Sequence, residues 1–155
     1  MGKLQARLGD QLSIWVRYLA WLSATPKPDP KTKRGQQQDI ELFSRIEGLR
    51  RQGVKSPPMP NNPAPKVTDW LVEMGLTEAA GMSAVPLSWK EINAWCDRTG
   101  VDLLPWEARL IRRLSTDYLA ESRKAESETC PPPWLAPASE VMIAAEMHLL
   151  DAILG

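Results

Sequence analysis

Pro86-Leu87-Ser88-Trp89-Lys90-Glu91-Ile92-Asn93-Ala94-Trp95, then Thr99-Gly100-Val101-Asp102-Leu103-Leu104-Pro105-Trp106-Glu107, running on to Tyr118-Leu119, writes two helices and the turn between them. Ser88 and Glu91 form an S-x-x-E capping box, in which each side chain accepts from a backbone N–H that the first helical turn leaves unpaired. Ile92, Trp95 and Cys96 then fall on one helical face. Gly100 ends that helix, because the left-handed backbone that closes it costs glycine little. Pro105 takes the first position of the next helix, where its missing N–H is no loss. Glu107, in the same first turn, is favourably placed against the helix dipole. Trp106, Leu110, Leu114 and Tyr118 recur every four residues, and Ile111 and Leu119 widen the stripe.

Upstream, Leu4, Leu8, Leu12, Trp15, Val16, Leu19 and Leu22 recur at three- and four-residue spacing, which predicts an amphipathic helix. It ends near Ala24, since Pro26, Pro28 and Pro30 cannot continue it. Thr25 to Gly35 reads as an exposed, basic linker. A second helix is expected from about Gln36 to Arg51, with Ile40, Phe43 and Ile46 on its apolar face and Gly53 just beyond. Five prolines between Ser56 and Lys66 mark the best boundary in the chain. A short helix follows over Val67 to Met74, stopped by Gly75, and Leu76 to Val85 reads as irregular.

Downstream, Pro131-Pro132-Pro133 breaks the chain, and Pro137 with Ser139-Glu140 starts a last helix. That helix is apolar on most sides, through Val141, Met142, Ile143, Met147, Leu149, Leu150, Ile153 and Leu154, and needs covering by its own domain or by a partner. No segment shows the two-residue alternation of a strand. The expected fold is all-α with five to six helices. Residues 1–55 form an N-terminal helical arm, 56–66 a proline-rich linker, and 67–155 a C-terminal domain built on a helical hairpin.

The totals bound the function. Among 155 residues, 43% are hydrophobic and seven are tryptophan, a composition that folds. The 19 basic and 19 acidic residues cancel, yet residues 1–58 hold 11 Lys+Arg against 5 Asp+Glu, a net +6 that the remainder balances. Such halves can attract each other within the chain or between copies. Cys96 and Cys130 make neither a disulfide framework nor a metal-ligand spacing. The N-terminus alternates charged and apolar residues, unlike a signal peptide. Glu146, His148 and Asp151 interrupt the most hydrophobic stretch, which is too short to span a bilayer. A soluble cytoplasmic protein with no membrane contact is expected.

Catalysis finds no constellation. The one histidine, His148, lies on the apolar last helix without the partners that a triad or a zinc site requires. No enzyme activity, cofactor or metal is expected. A helix-turn-helix reading has some support, because Cys96, Gly100 and Val101 fall where that motif places a small residue, a glycine and an apolar residue. Arg109, Arg112 and Arg113 would then lie on its second helix. Against it, residues 88–124 carry seven basic and six acidic side chains, a net of only +1. Asp102 and Glu107 would also bring carboxylates to the end that reads bases. Nucleic acid is therefore not the expected partner, and a DNA-binding regulator stands only as a lesser alternative.

The tryptophans divide. Trp95 and Trp106 fit apolar stripes and read as core. Trp89, at a helix start, and Trp134, beside the triple proline, are left for a partner, together with Met142, Met147 and Leu150 of the last helix. On this reading Trp134 contributes to binding rather than to stability.

The stretch Pro86–Lys124 resembles the tail assembly chaperones encoded near the tape-measure gene of long-tailed bacteriophages. The pattern P-[LI]-S-[WY]-x-E-I-x-A-W appears here as Pro86 to Trp95, T-G-x-x-L-x-P-W-E as Thr99 to Glu107, and I-R-x-L-[SD]-x-x-Y-L as Ile111 to Leu119. The resemblance implies a non-enzymatic helical protein of the host cytoplasm that coats the hydrophobic tape-measure protein until tail subunits replace it. Its partners would be that protein or other tail proteins, with self-association a further possibility. The alternative is a structural or adaptor component of a phage particle or other oligomeric assembly.

Overall fold

The start and stop signals of the central stretch position two helices, and the rest of the fold gathers around the second of them. The computed structural model describes residues 2–137 and 140–154, without the side chains of 140–146. In chain order these residues form α1 (Gly2–Ser23), α2 (Arg45–Arg51), α3 (Pro65–Glu73), β1 (Glu78–Ala80), β2 (Ser83–Val85), α4 (Trp89–Thr99), α5 (Pro105–Lys124) and α6 (Glu140–Leu154).

Ser88 caps α4 by accepting from the Glu91 N–H at 3.2 Å, and Gly100 closes the helix in the left-handed region at φ +75°. The reciprocal bond of the expected box, from the Ser88 N–H to the Glu91 carboxylate, is absent among the described residues, and the Ser88 hydroxyl itself donates to Glu78 Oε1 at 3.3 Å. Pro105 opens α5, where Glu107 accepts from the Leu104 N–H at 2.9 Å. That bond satisfies one of the donors that a helix start exposes.

The residues that join α1 to α5 rise together in number. Asp10 pairs with Arg113 at 2.8 Å, the Ser13 hydroxyl donates to Asp117 at 2.7 Å, and Arg17 reaches Glu121 at 3.5 Å. The two helices therefore run side by side in the same direction, and each three- or four-residue step returns a partner to the shared seam. Leu12 and Val16 of α1 are fully buried in one cluster with Leu110, Ile111 and Leu114 of α5, Val67, Leu71 and Met74 of the α3 region, Leu87, and Ile92 of α4. Trp15, Trp70, Trp95, Trp106 and Tyr118 pack half-buried around it. Leu4, the first residue of the α1 stripe, is exposed instead.

Two expectations need correction. Gln36 to Phe43 is not helical, and α2 begins only at Arg45. Ser44 is its N-cap and accepts from the Glu47 N–H at 3.3 Å, a second S-x-x-E signal that the apolar spacing upstream had masked. The Thr25–Gly35 linker is largely exposed, as expected, and is held to the chain after α5 where the Lys27 N–H donates to the Glu126 carbonyl at 2.7 Å and Arg34 meets Glu128 at 3.5 Å.

The second concerns Leu76 to Val85, which is not irregular. Its two short strands pair antiparallel, Glu78 opposite Val85 and Ala80 opposite Ser83. Gly81, at φ +63°, is the first residue of the two-residue turn, where a left-handed backbone favours glycine. Strands of three residues are too short to show alternation. Their attachment to α5 is tertiary: the buried Ser115 hydroxyl donates to the Leu76 carbonyl at 2.7 Å and accepts from the Leu87 N–H at 2.9 Å. One side chain thus holds both ends of the hairpin.

Candidate partner-binding surfaces

After Lys124 the chain runs back along the end of α1. The Trp21 indole Nε1 donates to the Cys130 carbonyl at 3.0 Å, and Trp134 lies edge-on to Tyr18, ring centroids 5.1 Å apart. Tyr18 in turn stacks on Trp21 at 5.9 Å, and the Arg45 guanidinium caps that ring at 4.4 Å. Arg45 also donates to the Trp21 and Ser127 carbonyls at 2.9 and 3.0 Å. The triple proline lets this strap hug the helix end in extended form, since it cannot coil into a helix of its own.

The residues expected to meet a partner belong to different parts of the chain: Trp89 to α4, Trp134 to the strap after α5, and Met142, Met147 and Leu150 to α6. Trp134 is half-buried, one side of its ring given to Tyr18. Trp89 is exposed at the start of α4 with the Arg112 guanidinium 4.9 Å over its ring, and Arg112 also donates to the Leu87 carbonyl at 3.3 Å. Met147 and Leu150 lie exposed on α6, whereas the Met142 side chain falls outside the described residues. Among the described part of α6, Met147, Leu149, Leu150, Ile153 and Leu154 are between 54% and 83% exposed. Soluble proteins seldom leave that much contiguous apolar surface bare unless something docks on it.

A second apolar surface was not anticipated from the sequence. The end of α1 and the 43–52 segment enclose a cleft of about 390 Å³, walled by Tyr18, Trp21, Pro26, Phe43, Arg45 and Leu49. Phe43 stays partly exposed, with the Arg51 guanidinium 4.3 Å over its ring. Three aromatics, Tyr18 and Trp21 before the proline linker and Phe43 after it, form this cleft, and no spacing rule relates residue 21 to residue 43. The one available signal was Ser44-Arg45-Ile46-Glu47, which fixes where α2 starts and so where Phe43 sits.

Two of the three arginines that a helix-turn-helix would use are engaged elsewhere. Arg112 serves Leu87 and Trp89, and Arg113 pairs with Asp10 and Asp117. Among the described residues no group of three His, Cys, Asp or Glu side chains is arranged to hold a metal ion. Both cysteines are free and half-buried, and burial pushes the Cys96 thiol above its ordinary pKa. No described helix is long and apolar enough to cross a membrane.

No curated protein and no solved structure matches the chain. A family model described as phage tail assembly chaperone matches residues 49–120. That segment takes in the end of α2, α3, the β-hairpin, α4 and most of α5, so it begins well upstream of the Pro86–Lys124 resemblance and leaves out α1 and α6. Over residues 49–120 this chain is thus similar to the phage tail assembly chaperone family, and the match supports a role in phage tail assembly.

Proposed function

We propose that the protein is a tail assembly chaperone that holds the tape-measure protein by reversible apolar contact in the host cytoplasm, without catalysis. The observation that carries this reading is the bare apolar surface of α6, Met147 to Leu154, standing beyond a segment similar to tail assembly chaperones. A long helical client rich in apolar residues presents stripes that such a helix can cover side by side, and flexible Met147 adapts to a varying sequence. Each contact is weak and the client offers many, so a coat of copies binds firmly yet can be displaced subunit by subunit. Trp89, exposed at the start of α4, supplies a further anchor on the family-like segment.

Co-expression with the tape-measure protein of the same genome, or with a long apolar helical fragment of it, tests the reading. The client is expected to stay soluble and to co-purify, and Met147→Ser combined with Leu150→Ser is expected to reduce the amount retained. A client that precipitates equally with and without this protein overturns it.

A further inference from the structure

We propose that the gap between the start of α1 and the start of α5 is a second client-binding site, entered by an apolar client helix with acidic flanks as α1 swings outward about its anchored far end. The proposal rests on the chaperone reading and adds to α6 a contact on the family-like segment.

The seam between α1 and α5 is closed at one end and open at the other. Leu12 and Val16 are fully buried in it, and the last turn of α1 is fastened by Trp21, whose indole donates to the Cys130 carbonyl and whose own carbonyl accepts from Arg45. Before Leu8 the cover fails, and Lys3, Leu4, Ala6 and Arg7 are exposed. There a gap of about 370 Å³ separates Gly2, Ala6 and Gly9 of α1 from Trp106 and Leu110 of α5. Trp106 is only half-buried, so part of its indole remains for another apolar side chain.

The seat of α1 itself shows what the site accepts, an amphipathic helix lying along α5 with apolar residues three and four apart. A client helix of the same kind takes the places of Leu8 and Leu12, so apolar burial is exchanged rather than lost. The core survives the exchange, since eight of its ten buried residues lie between Val67 and Leu114 and α1 supplies only Leu12 and Val16. Charge selects among such helices. The walls of the gap carry Arg109 and Arg113 and no carboxylate, Lys3 and Arg7 are exposed close by, and the neighbouring Asp10 is held by Arg113. That surplus favours a helix with Asp or Glu beside its apolar stripe.

Hydrogen exchange of the full chain, with and without the co-expressed tape-measure fragment, tests the swing. Amides from Leu8 to Leu12 are expected to exchange faster in the complex, since a helix lifted from its neighbour frays, while those from Leu110 to Leu114 keep their protection. Two variants test the site. Ala6→Phe fills the gap from the α1 side, and Arg109→Glu reverses its charge; both positions are exposed, and thermal melts check that each variant is folded. Each is expected to reduce the retained fragment by roughly threefold or more. Amides of α1 that stay equally protected in the complex overturn the proposal, and so does wild-type retention by either variant. If Met147→Ser with Leu150→Ser still lowers retention in that case, the chaperone reading stands without this site. A fragment that the wild type fails to retain overturns both.

Discussion

Ser115→Ala removes a single oxygen atom, and its effect can be worked from the structure. Ser115 is fully buried on α5, and its hydroxyl spends its one proton on the Leu76 carbonyl while accepting from the Leu87 N–H. Alanine fits the space but offers neither bond. The Leu87 N–H is then left in a buried position with no partner, a loss of about 1–3 kcal/mol. For a chain of this length such a loss lowers the melting temperature by roughly 3–10 °C. Thermal unfolding followed by circular dichroism reads that shift, and hydrogen exchange locates it, since the Leu87 amide should lose protection while amides of α1 keep theirs. Thr116→Ala is the control. Its hydroxyl is exposed and donates only to the Arg112 carbonyl of its own helix, so its melt should stay within about 0.5 kcal/mol of wild type. A Ser115→Ala variant that melts with wild type and keeps the Leu87 amide protected would refute the claim that this hydroxyl holds the hairpin.

The remaining predictions use the same core. Leu12→Ala should cost about 2–5 kcal/mol in chemical denaturation, because Leu12 is fully buried against α5, and an unchanged midpoint would mean that α1 is a detachable arm. Trp95 meets Trp70 edge-on at 6.3 Å, and its indole N–H is buried without a partner among the described residues. Trp95→Phe, which removes that orphan donor, should therefore be close to neutral, while Trp95→Ala should cost about 3–5 kcal/mol. Trp134→Ala should lower the melting temperature, since the edge-on pair with Tyr18 is worth about 0.5–1.5 kcal/mol beyond its buried area, and an unchanged melt would return Trp134 to the role of a free anchor. Burial raises the Cys96 pKa, so less thiolate is present at a given pH. Alkylation of Cys96 at mildly alkaline pH, followed by mass spectrometry, should be slower than that of a free thiol and should speed up in denaturant.

The sequence determined each local structure that is closed by its own neighbours. Ser88, Gly100 and Pro105 set the ends of α4 and the start of α5 through bonds spanning three or four residues, and the stripe from Trp106 to Tyr118 told which side of α5 would be buried. Where two local signals competed, the apolar spacing of Ile40, Phe43 and Ile46 suggested a helix that the Ser44 cap cuts short. Only the tertiary structure decided the rest. The parallel seam of α1 with α5 depends on pairs about a hundred residues apart, such as Ser13 with Asp117, which no periodicity relates. The hairpin depends on Ser115, a polar residue on an otherwise apolar face, which a reading of stripes passes over. The Tyr18–Trp21–Phe43 cleft exists because Arg45 binds carbonyls at the end of α1 and beyond the end of α5 at once. The physical reason is the same in each case: a cap or a stripe is enforced by backbone geometry over one or two turns, whereas a contact across a hundred residues is chosen by which buried polar groups can satisfy each other.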